Sequence, residues 1–564
     1  MNLKQLNLFY NSIINTRIIQ LVHRIKFLIK RFILSNLATQ KLISANSLVS
    51  DNEFYLTTVL PKPLFKPRIN LTLKEDNQIY TNFLNIKRPL VTPLDWYPGD
   101  MEKNRLWLFN LHYMEYLESI DDNDWFKFVI DWINSNKSYM KGSSLKGWHS
   151  YTLSIRIVVW MQQFEKKRSF ISKKDLNLFL RSLLAQVRFL KSNLELDIGG
   201  NHLIKNIKAL LWASKFFKGK EADNWHRLGL KLLKTNIDEQ ITEDGVHFEL
   251  SPAYHSQVFA DLLECYAIIN DVSCKEKLNI TLPKMAQFLT DTTHPDGMVS
   301  LFNDSGLHMA YQPNECIEVY ERLFNTKLKT LNIVSYKNAG YFGLRSENNL
   351  VLFDAAELAS KFLPAHGHGD ALSFEWSVLG QRVAIDPGVY EYEPGKLRDY
   401  SRSTKSHNTV TLDDHDQSEF WKSFRVGRRA NIIKCDVNKD SEGLTITAAH
   451  DGYRRFKNSP IHCRKMSMYP GVINIVDSIQ KGNGQIATAR IMLAPEISID
   501  IRDENYFLIG DGFEILVEST NHITIKEAMC FLDFGCYQKT SQLVIEFGKA
   551  PCHNILHLSV ITNQ

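Results

Sequence analysis

The sequence predicts a multidomain α+β protein in which a helical domain precedes an all-β domain. Three observations carry this. Apolar residues recur at helical spacing from about residue 100 to 330, the texture changes near Asn338-Ala339-Gly340, and period-two strands follow to the end. At 564 residues the chain exceeds one ordinary core, and its 44% hydrophobic and 23% charged content are those of a globular protein. The expected divisions are a basic amphipathic segment over 1–48, a helical domain over 49–332 and a β domain over 333–564.

The first fifty residues hold seven Lys/Arg (Lys4, Arg17, Arg24, Lys26, Lys30, Arg31 and Lys41) and no Asp or Glu. Without them the chain carries 60 basic against 62 acidic residues, so the body is no general polyanion sponge and any anion site is local. A nucleic-acid partner is not expected. The stretch from Ile18 to Leu34 alternates apolar and basic residues and is too broken by charge for a secretory signal. Such a helix either lies on an anionic membrane surface or docks on the body of the protein. No run is long enough to span a bilayer. Eight cysteines without a CxxC pair read as free thiols, which fits a reducing compartment. The expected location is the cytoplasm, with peripheral contact at the inner membrane, and the periplasm is the alternative.

Helical patterns cover 176–194, then Leu203, Ile204, Ile207, Leu210 and Leu211, then 255–269, with short connections that suggest repeated helical hairpins in a solenoid or toroid. Strands are expected at 350–353, 372–379, 383–385, 409–412, 444–447, 472–476, 514–517 and 543–547, punctuated by turns such as Asp386-Pro387-Gly388. Such a run builds an antiparallel sandwich. The sequence holds no glycine-rich phosphate loop, dinucleotide fingerprint or zinc-finger spacing.

Two loops of the helical half present polar groups. Gly199-Gly200-Asn201-His202 enters a helix, with Asn201 a candidate N-cap. Glu243 to Glu249 and Ser251-Pro252-Ala253-Tyr254-His255 gather carboxylates, imidazoles and a phenol. Of Trp96, Trp107, Tyr113, Trp148, Tyr151 and Trp160, about a third are expected on a cleft that packs sugar rings.

The densest chemistry is His366-Gly-His368-Gly-Asp370, followed by Asp386 and by Ser406-His407-Asn408-Thr409. Imidazoles with carboxylates suit a zinc-type cation. On an extended strand, residues two apart share a side, so one ring could bind the cation while the other stays free for proton transfer.

These motifs together resemble the heparinase II/III family of polysaccharide lyases. The resemblance rests on Gly200-Asn201-His202, Ser251 to His255, His366-x-His368-x-Asp370, Asp386-Pro387-Gly388 and Arg402-Ser403-Thr404-x-Ser406-His407-Asn408-Thr409-Val410. Trp107 to Tyr113 and Trp148 to Thr152 also contribute. It implies an (α/α) toroid, an incomplete barrel, joined to an antiparallel β-sandwich, with the active site in the cleft between them. It also implies β-elimination on a uronic-acid-containing polysaccharide. On that resemblance, Asn201 neutralises the uronate carboxylate with His202 beside it, Tyr254 is the general acid or acid–base, and His366 is the second proton-transfer residue. His368, Asp386 and His407 are the ligands of a structural metal, zinc or another divalent cation. Tyr392 is the further tyrosine, with Tyr390 and Tyr400 as alternatives. Arg398, Arg402 and His255 are expected to contact substrate. The near-neutral body points to a capsule or exopolysaccharide in place of a heavily sulfated chain. The competing expectations are a glycan-binding protein without catalysis and a zinc hydrolase with Asp370 or Glu375 as base. The oligomeric state is left open.

Overall fold

The computed structural model describes residues 3–34, 56–57, 60–68, 71–75, 78–137 and 146–561. Lys41 and the remainder of the basic segment beyond Leu34 lie outside the described residues. The chain divides into two compact units. One comprises Arg17–Glu239 and Val258–Leu282; the other comprises Met1–Thr16, Gln240–Gln257 and Pro283–Gln564. Residues 240–257 and 283–332 are thus counted with the strands.

The first unit is helical. Its helices include Ser150–Lys167, Lys173–Ser192, Gly200–Phe216 and Lys220–Gln240, the second and third matching the expected spans to within a few residues. Ser172 caps the second by accepting from the Asp175 amide. A small three-stranded sheet spans residues 72–89. All six aromatics named above are buried, packed among Trp125, Trp132 and Phe179 in one apolar cluster. The expectation that a third would face a cleft is therefore corrected: large rings bury most apolar area and are drawn into the core.

The second unit carries the other sheets, every pairing antiparallel. A five-stranded meander runs through Ile333–Tyr336, Tyr341–Ser346, Asn349–Asp354, Phe374–Val378 and Gln381–Ala384. An eight-stranded sheet begins at Ile432–Lys439 and includes Leu444–His450, Ile461–Tyr469 and Val472–Gln480. A four-stranded sheet contains Val410–Leu412 and Ile486–Met492. All eight expected strands appear, most of them longer than their apolar seeds. One apolar core takes Phe374 from the first sheet, Ile446 from the second and Leu543 from the third.

Two local expectations change. Asn201 does not cap its helix; Gly199 holds that position at φ 71°, a left-handed conformation that glycine adopts without a Cβ penalty. The His366–Asp370 segment is a turn, not a strand. Gly367 and Gly369 explain why: a Cβ on either would meet the Leu358 carbonyl or the Thr404 hydroxyl, so this chain threads a space only bare backbone can enter.

Candidate functional site

In the strand-rich unit the histidine pair converges through one residue that belongs to none of the motifs above. Asp304 is buried and takes the His366 Nδ1 at 2.9 Å on one oxygen and the His368 Nε2 at 2.8 Å on the other. Arg398 grips both oxygens from behind. Burial alone would raise the Asp304 pKa, but the Arg398 charge and the two imidazole bonds outweigh it and hold the carboxyl well below its usual range. An ionised Asp304 can only accept, so each ring donates to it. His366 is left with its Nε2 turned away from Asp304, and the neutral His368 with a bare Nδ1. A single carboxylate thus orients two rings.

The two outer ring nitrogens meet different surroundings. His368 Nδ1 is buried and has no hydrogen-bond partner, as is Asp386 Oδ1. Ligand atoms of His368, Asp386 and His407 lie within 4.8 Å of one another, and His407 Nδ1 is 2.7 Å from Asp386 Oδ2. Burial lowers both imidazoles, His368 to about 3, which keeps them neutral. Burial, with Glu375 nearby, pushes Asp386 well above its usual range. Two neutral imidazoles and a carboxylate short of positive charge form a donor set that fits a divalent cation, and the Asp304–His368 bond is the usual outer support of such a ligand.

His366 packs among aromatic rings. Its ring centroid is 4.1 Å from that of Tyr254, and the Tyr254 hydroxyl is 2.9 Å from that of Tyr392. Buried Glu249 places Oε2 3.7 Å from His366 Nε2. Of the three candidate tyrosines, Tyr392 is the one bonded to Tyr254. Tyr390 packs on Phe531, and the Tyr400 hydroxyl accepts from the Met529 amide.

Three residues assigned to substrate in the sequence reading are committed inside this unit. Arg398 is buried between Asp304 and the Ser423 carbonyl. Arg402 spends its donors on the carbonyls of Gly367, Lys422 and Ser423. His255 donates to the Met285 carbonyl and accepts from the His247 amide, and burial takes it down to about 3. Two of these brace the turn that carries the histidines, and the third braces the loop leading to Tyr254. Asp370 and Glu375 are also buried, accepting main-chain amides of Asn303 and of Leu301 and Asp386. Neither is placed as a solvent-facing base.

In the helical unit, Asn201 is buried at the start of its helix and His202 stands beside it. His202 Nδ1 is 2.9 Å from Glu195 Oε1, and its ring lies on Tyr151 at 4.2 Å. Asn206 donates to the other Glu195 oxygen at 3.0 Å. Burial would raise Glu195, but the His202 and His149 imidazoles and the Asn206 amide outweigh it and bring the pKa down to about 2. Glu195 was invisible in the sequence, where Leu194-Glu195-Leu196-Asp197 reads as an ordinary helix end.

Comparison with known proteins gives a consistent result. Family models match described as heparinase II/III N-terminus over residues 95–329 and heparinase II/III-like, C-terminal over 329–556. A heparin-sulfate lyase of Pedobacter heparinus is 28% identical over 296 residues, covering 48% of this chain and 43% of the relative. One of Bacteroides thetaiotaomicron is 27% identical over 334 residues, covering 51% and 47%. The chain thus spans about half the length of these curated relatives. A crystal structure of heparinase III superposes with a TM-score of 0.67 at 19% identity, covering 84% of this chain and 80% of that one. That of heparan sulfate lyase HepC from Pedobacter heparinus gives 0.57 at 18%, covering 85% and 80%. The fold is shared: a helical N-terminal region and a sheet-rich C-terminal region.

Proposed function

Because the chain belongs to the heparinase II/III family, we propose that it is a polysaccharide lyase acting by β-elimination on a uronic-acid-containing polysaccharide. The observation that carries this reading is His366, oriented by Asp304 and packed on Tyr254, whose hydroxyl is bonded to that of Tyr392. β-Elimination removes the C5 proton, forms the C4=C5 double bond and breaks the C4–O bond, so it needs a base, an acid and damping of the carboxylate charge. His366, its Nδ1 proton held by Asp304, is suited to take the C5 proton. Tyr254 is suited to protonate the departing glycosidic oxygen, with Tyr392 bonded to it as relay, or to take both roles in a syn elimination. For Asn201, with His202 oriented by Glu195, we propose carboxylate neutralisation.

His368, Asp386 and His407 would hold a structural zinc, or another divalent cation. Bound there, the cation supplies charge to neutralise Asp386 and ties together three segments distant in sequence. The helices of the first unit are proposed to form an incomplete (α/α) toroid and the sheets of the second an antiparallel sandwich. The substrate class is an acidic polysaccharide. The body's 60 basic against 62 acidic residues support a capsule or exopolysaccharide. The reducing, cytoplasmic location that we propose rests on eight cysteines that form no CxxC pair.

The test is to incubate the full chain with a panel of uronate polysaccharides and follow the ultraviolet absorbance of the unsaturated product. Growth of that absorbance is expected with at least one substrate. New reducing ends without it would mean hydrolysis, and saturable binding without either would mean a glycan-binding protein.

A further inference from the structure

The helix Ile18–Leu34 is docked the wrong way round for a helix that belongs to a protein core. A surface helix normally buries its apolar stripe and shows its charges to water. Here the polar face makes the attachment. Arg17 pairs with Glu239, Arg24 bonds the Asp197 carboxylate at 2.9 Å, and Lys30 reaches the Ser192 carbonyl at 2.6 Å. Gln20, which is buried, turns to the Asp197 carbonyl. Arg17, Gln20 and Arg24 follow one another at i, i+3 and i+7, so they share a face.

The opposite face is apolar and open. Ile18, Val22, Ile25 and Ile29 fall at i, i+4, i+7 and i+11, and they are 80%, 38%, 56% and 54% exposed. Ile19 and Leu28 flank them, also exposed, and Lys26 borders the row. The preceding helix, Leu3–Ile14, repeats the pattern in the other unit. Ser12 bonds the Val426 carbonyl and accepts from Trp421, while Leu6, Phe9, Tyr10 and Ile13 are exposed. Each helix is thus held in part by polar groups and leaves large apolar side chains in water. Exposed apolar rows of this kind mark an interaction surface.

Charge decides between occupants. The helix holds no acid, and exposed Lys26 beside the row is a charge not spent on the attachment, so pairing this face with its own copy would bring like charges together. A surface of anionic lipid headgroups supplies the missing negative charge, and its acyl boundary supplies the apolar phase. Among the described residues no helix is long and apolar enough to cross a membrane, so the helix would lie in the interface. We propose that the Ile18–Val22–Ile25–Ile29 face is a binding surface for an anionic lipid bilayer, held outward by the polar attachment of the same helix.

The test uses the full chain and sedimentation with vesicles of phosphatidylcholine alone or mixed with phosphatidylglycerol. Binding is expected to the mixed vesicles, weakly or not at all to the neutral ones, and to fall as salt rises. Replacing Ile18, Val22, Ile25 and Ile29 together by Gln should abolish binding without moving the thermal midpoint, because these side chains touch little. Lys26→Glu should weaken it by about tenfold or more. Amide exchange over 18–29 should slow when anionic vesicles are added. Equal binding by the quadruple variant would overturn the proposal, as would failure of the native chain to bind anionic vesicles. A native dimer that the quadruple variant turns into a monomer, with lipid binding unchanged, would assign the face to a second copy. None of these outcomes depends on the reaction catalysed.

Discussion

A carboxylate that serves two imidazoles at once is the residue on which the site turns, and replacing it separates its duties. Asp304→Asn keeps the volume but can no longer accept two charge-assisted bonds, and it leaves Arg398 buried without its counter-ion. A loss of about 3–5 kcal/mol in stability is expected from denaturant unfolding, the range for breaking a buried pair from one side. Divalent-cation affinity should fall by roughly 10–100-fold, since His368 loses its orienting partner. Tyr254→Phe should behave differently. It removes one hydroxyl from a half-buried ring, so folding survives while the rate of unsaturated-product formation falls by about 10²–10⁴-fold. Survival of that rate would remove Tyr254 from the chemistry. Glu195 gives a pH signature. Its folded pKa of about 2 lies below the ordinary value of about 4.3, so its contribution is fully present above that value and is lost as pH falls toward 2. The stability difference between native protein and Glu195→Gln, measured by unfolding across pH, should be largest near neutrality, about 3 kcal/mol, and should shrink through this acid window.

At the level of elements, the turn 366–370 is positioned by contacts from several segments. Arg402 holds the Gly367 carbonyl, and the Asn303 side-chain oxygen accepts from the His368 amide. Strands behind it fix the neighbouring ligand. The Asn408 side chain donates to the Phe374 and Ile385 carbonyls, and Arg464 donates to the Asn408 and Leu372 carbonyls while paired with Asp477. His407 and Asp386 are the chain neighbours of Asn408 and Ile385, so these bonds set the spacing of two ligands. Gly367→Ala is the economical probe of this packing. Its methyl would meet the Leu358 carbonyl, and overpacking of this kind costs about 1–3 kcal/mol, read as a lower denaturant midpoint together with reduced metal content. The histidine spacing was legible in the sequence, but its stated cause was not. Alternation along a strand would have placed the rings side by side, whereas a glycine-bearing turn and Asp304, more than sixty residues away, bring them together.

For the whole molecule, the cation site predicts a link between metal content and global stability. Its three ligands come from turns and strand ends spread over residues 368–407, and a bound ion stabilises only the folded chain that gathers them. Chelation should lower the thermal midpoint and the lyase rate together, and zinc should restore both. If the midpoint falls while the rate at low temperature is unchanged, the ion is purely a brace.

The sequence by itself determined the division into helical and strand-rich regions, eight of the strands, the family, and the residue types of the candidate metal triad. These depend on local periodicity and on motifs a few residues long, which the chain carries whatever its path. The tertiary structure decided the rest. It bonded the Tyr392 hydroxyl to that of Tyr254, brought in Asp304, Glu195 and Glu249, and drew Arg398, Arg402 and His255 inward. It also turned the basic helix so that its charges hold the protein and its isoleucines face out. Charge and spacing say what a side chain can do; only the path of the chain says which partner it meets, because burial and hydrogen bonding are set by residues far away in sequence.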